Sequence, residues 1–129
     1  MGRYKVHNEH SLQRQLIREN EKHRPYTKLY AQEWEVKPGH PNCGKGDLVF
    51  KRPGFEEYLV VETKYLTQRS GHTACTSRHK SRKQVVKQAR RYGAEFKKLH
   101  PKADVEIATY TNEGGLLKLA SKRKRRKRR

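Results

Sequence analysis

Leu12, Leu16 and Ile17 fall on one narrow stripe of a helix that Asn8 can cap and that the pattern carries to about Lys22. Pro25 ends that periodicity, and from Lys28 to Val36 the side chains of Tyr30, Trp34 and Val36 share one face of a predicted strand. A loop through Pro38, Gly39, Pro41 and Gly44 follows. A second strand runs from about Gly46 to Lys51, Arg52-Pro53-Gly54 turns the chain, and a third strand runs from Tyr58 to Leu66 as the partner of an antiparallel hairpin. A polar loop is predicted from Thr67 to Lys80. It leads into a helix ending near His100, on which Val85, Ala89, Tyr92, Phe96 and Leu99 recur in steps of four and three. Pro101 stops this helix, Val105 and Ile107 open a fourth strand, and Gly114-Gly115 turn the chain into the apolar stretch Leu116 to Ala120. The predicted order is α, β, β, β, α, β, β.

The 129 residues fit one domain with one core. That core is small, because only 32% of the residues are hydrophobic while 35% are charged. Lys and Arg outnumber Asp and Glu by 32 to 13, and a formal net charge of +19 makes a polyanion the expected partner. Part of that charge lies in the unbroken basic run Lys122 to Arg129. Residues 1–120 are therefore read as the folded domain, and residues 121–129 as a disordered basic tail that serves nuclear import or tethering to DNA. Such a tail also suits a viral protein. No apolar segment suits a signal peptide or a membrane span, so a soluble intracellular protein without membrane contact is expected. In that compartment the two cysteines are expected as thiols or metal ligands rather than a disulfide.

Alternation on the third strand puts Tyr58, Val60, Glu62 and Lys64 on one face and Leu59, Val61, Thr63 and Tyr65 on the other. Glu62 and Lys64 interrupt a run apolar enough to lie in mid-sheet, where ionised groups are costly without compensation. Antiparallel pairing sets the start of the second strand beside the end of the third, which brings Asp47 to Glu62 and Lys64. Two carboxylates, joined by the main-chain carbonyl of Thr63, suit Mg²⁺ or Mn²⁺; such an ion can activate water and neutralise charge on a scissile phosphate. Lys64 would orient or deprotonate that water.

A carboxylate that opens one strand, here Asp47, and a Glu-x-Lys on the next, here Glu62-Thr63-Lys64, resemble the pattern of the PD-(D/E)xK nuclease superfamily. The resemblance runs in order from about Asn8 to Ala120 and implies an α/β (α+β) fold with a restriction-endonuclease-like core, αβββαβ, whose central mixed sheet is flanked by helices. Glu9-x-x-Leu12-x-x-x-Leu16 is similar to the helix opening of archaeal-type Holliday-junction resolvases, which makes Glu9 a further metal and catalytic candidate, with Glu19 second. Some members place a Gln or Lys on the second helix, for which Gln88 is the candidate and Gln84 the neighbour one turn earlier. Gly46 stands where the family name has proline. The resemblance implies a Mg²⁺-dependent deoxyribonuclease acting on branched or junction DNA as a homodimer.

Two further groups carry chemistry. His40-x-x-Cys43 and His72-x-x-Cys75 are matching pairs in loops at one end of the hairpin and can hold a structural Zn²⁺ tetrahedrally. Arg78, His79, Lys80, Arg82 and Lys83, at the expected start of the second helix, are read as contacts to backbone phosphate, which position nucleic acid without reading its sequence. The alternative function is a non-catalytic basic nucleic-acid-binding protein, ribosomal or chromatin-like, in which Asp47 and Glu62 are structural. DNA is the expected ligand, and the basic charge fits RNA equally well.

Overall fold

The computed structural model describes residues 8–40, 42, 44–66, 72–113 and 115–119. Helix α1 (Glu9–Arg18) starts at the expected cap: Ser11 N–H donates to Asn8 Oδ1 at 2.8 Å and Asn8 N–H donates to Ser11 Oγ at 3.1 Å. It stops four residues before the expected Lys22 and passes into a 3₁₀ turn, Asn20–His23. The reason lies in His23, which is fully buried with its ring 3.8 Å from that of Phe50 and its nitrogens against the carbonyls of Leu16 and Tyr26. A straight helix cannot turn that side chain back under its own last turn, so the chain tightens.

Five strands follow the predicted order: β1 (Lys28–Glu35), β2 (Lys45–Lys51), β3 (Glu57–Lys64), β4 (Asp104–Thr111) and β5 (Gly115–Lys118). They form one mixed sheet in the spatial order β1-β2-β3-β4-β5, antiparallel except for the parallel pair β3 and β4. A parallel neighbour needs a long crossover, which helix α2 (His72–Leu99) provides.

Central β3 is buried on both faces, which explains its uninterrupted apolar run. Leu59 and Val61 join Leu48, Phe50, Leu12 and Leu16 beneath α1, while Tyr58 and Val60 join Val49 and Phe96 beneath α2. The result is α+β: a mixed sheet with a small core on each side.

The second helix ends near His100 as expected but departs from expectation at its start and in the last member of its stripe. It begins at His72, so the predicted polar loop to Lys80 is mostly helix. Thr73 to Lys80 contain neither Gly nor Pro, and polarity alone does not stop a helix whose other turns are anchored. At the far end Leu99 is 41% exposed instead of continuing the stripe. Its place is taken by His100, whose ring stacks on Phe96 at 4.3 Å and approaches Tyr58 at 5.5 Å. After Val85, Ala89, Tyr92 and Phe96, a period of 3.6 lets position 99 or 100 face inward, and the ring stack selects 100.

Candidate active site

The hairpin brings the two carboxylates together. Leu48 pairs with Val61, so the preceding residue, Asp47, lies next to Glu62. Asp47 N–H donates to Glu62 Oε2 at 2.9 Å, and Thr63 returns the bond, its N–H and hydroxyl donating to Asp47 Oδ2 at 2.7 and 2.9 Å. From α2, the Gln88 amide donates to Glu62 Oε1 at 3.2 Å. From α1, Glu9 Oε2 lies 3.3 Å from Lys64 Nζ. Asp47, Glu62, Lys64, Glu9 and Gln88 therefore meet at one end of the sheet, drawn from four elements.

Burial is what makes this cluster unusual. Glu62 is 1% exposed, and its carboxyl is pushed up to about 8, first by loss of solvent and then by the charge of Asp47. The bonds from Asp47 N–H and Gln88 oppose that rise. Asp47 is also raised, again chiefly by burial, with the charges of Glu9 and Glu33 adding to it and the two Thr63 bonds working against it. Two adjacent carboxylates, one buried and one half-buried, favour a proton or a cation between them.

Gly46 has a packing reason. A Cβ there would lie 2.3 Å from Trp34 Nε1 and 2.4 Å from Trp34 Cε2, and the indole is itself set edge-on to Phe96 and Tyr92. Gly46→Ala is expected to lower stability by about 1–3 kcal/mol through overpacking and to disturb the entry of Asp47 into β2. Urea unfolding of the variant measures the first effect.

Several participants escaped the sequence reading. Buried Gln13 donates to Thr63 Oγ1 at 3.5 Å, and Gln32 donates to Gln13 Oε1 at 3.5 Å, so a polar chain supports the site from below α1. Glu33, at a positive φ of 50° in β1, adds negative charge near Asp47. Tyr92 is buried, its phenol raised by burial and then by the charge of Glu62. Gln13 sits off the narrow apolar stripe of α1, Tyr92 is read only as a member of the apolar stripe of α2, and the positive φ of Glu33 has no glycine to announce it. No local motif marks them.

Other candidates lie elsewhere. Glu19 caps the opposite end of α1 and pairs with Lys22 at 3.1 Å. Gln84 is exposed one turn before Gln88. His79, Lys80, Arg82 and Lys83 lie on α2, but as part of its body rather than its start, because the helix begins seven residues before His79. Arg82 is tied to Glu113 at 2.8 Å, which offsets one of the cluster's charges. The side chain of Arg78 lies outside the described residues.

The zinc candidates are only partly visible. His40 is exposed in the loop before β2, while Cys43 and the side chains of His72 and Cys75 lie outside the described residues. The second pair belongs to the first turn of α2, not to a loop. Among the described residues, no three or more His, Cys, Asp or Glu side chains group closely enough to hold an ion by themselves. No described helix is long and apolar enough to cross a membrane, and the run 121–129 lies outside the described residues. No family model, curated protein or solved structure matches the chain.

Proposed function

We propose that this chain is a metal-dependent endonuclease with a restriction-endonuclease-like core that hydrolyses phosphodiester bonds in DNA. The observation that carries the reading is the hydrogen bond from Asp47 N–H to buried Glu62, with Lys64 two residues further along the same strand. Two carboxylates do not fill an ion's coordination, yet Mg²⁺ commonly takes one or two carboxylates and keeps several waters. Asp47, Glu62 and the Thr63 carbonyl would hold Mg²⁺ or Mn²⁺, with Glu9 nearby. The raised carboxyl of Glu62 supports this fit: burial raises it first and the charge of Asp47 second, and a cation would offset both by compensating the ionised form. Such an ion supplies an acidified water and neutralises charge on phosphate.

The chain's own groups have distinct tasks in this reading. Gln88 fixes the orientation of Glu62, and Thr63 does the same for Asp47. Lys64, an ammonium paired with Glu9, orients the attacking water by donating a hydrogen bond to it. Glu9 holds the Lys64 ammonium at the site entrance until phosphate competes for it. The test is nicking of supercoiled plasmid: wild-type protein with Mg²⁺ or Mn²⁺ produces open circles, and chelator suppresses them.

Basic groups on α2 and the tail support DNA as the ligand through phosphate neutralisation. Deleting Lys122 to Arg129 is expected to leave the fold intact and to flatten the salt dependence of binding, the log–log slope falling by about 0.9 for each phosphate that the tail neutralises. Fluorescence anisotropy at several salt concentrations measures this. An unchanged slope assigns the run to targeting alone.

A further inference from the structure

Edge strand β1 and helix α1 border a cleft of about 560 Å³ lined by His10, Arg14, Ile17, Arg18, Leu29 and Gln32. His10, Arg14 and Arg18 are spaced four residues apart, so they form one helical row, with Ile17 beside it. Across from them β1 contributes Leu29, 37% exposed, and the amide of Gln32. The cleft is thus apolar and cationic at once. It is also tied to the carboxylates: Gln32 bonds Gln13, Gln13 bonds Thr63, and Thr63 bonds Asp47. His10 directly follows Glu9, which holds Lys64.

A volume of this order lies within the ~300–1,000 Å³ range that encloses one small ligand and is too small for a base pair with its backbone. A single nucleotide meets each feature. Its base has apolar faces for Ile17 and Leu29 and polar edges for the Gln32 amide, while its phosphates suit two guanidinium groups one turn apart. We propose that this cleft takes one unpaired nucleotide of a DNA ligand and so adds affinity for strands that leave the duplex. The inference rests on the nucleic-acid part of the proposed function, not on cutting.

The test is equilibrium binding in chelator, where no cleavage occurs, using a fork with two unpaired thymidine arms and a blunt duplex of equal length. Wild-type protein should favour the fork by roughly tenfold, the scale of one stacked or enclosed base. Leu29→Trp, which fills the cleft from an exposed position, and Arg14→Gln with Arg18→Gln should bring the ratio near one. Leu29→Ser is the second apolar variant should the larger ring disturb the fold. Lys80→Gln with Lys83→Gln removes equal charge elsewhere and should weaken both ligands alike, leaving the ratio intact. Equal binding of fork and duplex by wild-type protein, or a fork preference that survives in the cleft variants, overturns the proposal. Fork preference lost in the cleft variants, together with no nicking in Mn²⁺, upholds the cleft and removes the nuclease reading. Nicking without fork preference removes the cleft alone.

Discussion

Asp47→Ala, Glu62→Ala and Lys64→Ala are each expected to slow metal-dependent cleavage by at least about 10²–10⁴-fold, the usual cost of removing a general base or an electrostatic stabiliser. DNA binding should change little, because affinity rests on basic groups that these substitutions leave in place. Lys64→Ala also removes a positive charge and releases Glu9, so a small loss of binding is expected from that variant alone. Glu9→Ala and Gln88→Ala act one step away, through Lys64 and Glu62, and should reduce cleavage less. Single-turnover cleavage with saturating protein, run beside anisotropy, separates the rate from the affinity. Cutting at the wild-type rate by all three alanine variants would remove the reading.

In metal-free protein, stability is expected to fall as pH rises from about 5 to 8. Glu62 has its folded carboxyl raised to about 8 from the ordinary 4.5, so in this window the native state keeps a proton that the unfolded chain has released. Raising the pH therefore favours unfolding, by up to about 1.4 kcal/mol per pH unit for one such group. Below the window both states are protonated, and above it both are ionised, so the slope vanishes at each end. Asp47 is raised in the same sense and adds to this slope.

Glu62→Gln should remove most of the slope and be more stable than wild-type at pH 8. Its amide oxygen can still accept from Asp47 N–H, while Gln88 turns its own oxygen toward the new NH₂. All other groups are common to both proteins and cancel in the comparison. Mn²⁺ at pH 8 should restore the wild-type protein, by about 2.7 kcal/mol at a hundred times its dissociation constant, and leave Glu62→Gln unmoved. Urea unfolding across pH measures both. Parallel pH profiles for the two proteins would contradict the buried-pair account.

The fold's order was legible because each element carries its own signal: an Asn cap for α1, a turn at Arg52-Pro53-Gly54, and a four-and-three stripe along α2. Asp47 could be set beside Glu62 from antiparallel pairing alone. The positions of Glu9 and Gln88 required knowledge of how helices lie on the sheet, which no local pattern supplies. Polarity misled at residues 72–80, where a stretch without apolar periodicity reads as a loop although no Gly or Pro interrupts the helix. His23 was illegible for a related reason: a histidine between Lys22 and Arg24 reads as surface, yet two backbone carbonyls and the Phe50 ring bury it. The glutamine relay through Gln13 depends on contacts fifty residues apart, which only the folded chain displays.

The central claim is that the pair Asp47 and Glu62, with Lys64, cuts DNA. Its most direct measurement is a plasmid-nicking time course in Mn²⁺, with wild-type and Glu62→Gln proteins of matched fold and at concentrations that saturate the DNA. The account predicts open-circular product from the wild-type protein only, and only with the ion. Equal nicking by both proteins, or none by either on saturated DNA, would contradict it and leave a basic binding protein in its place.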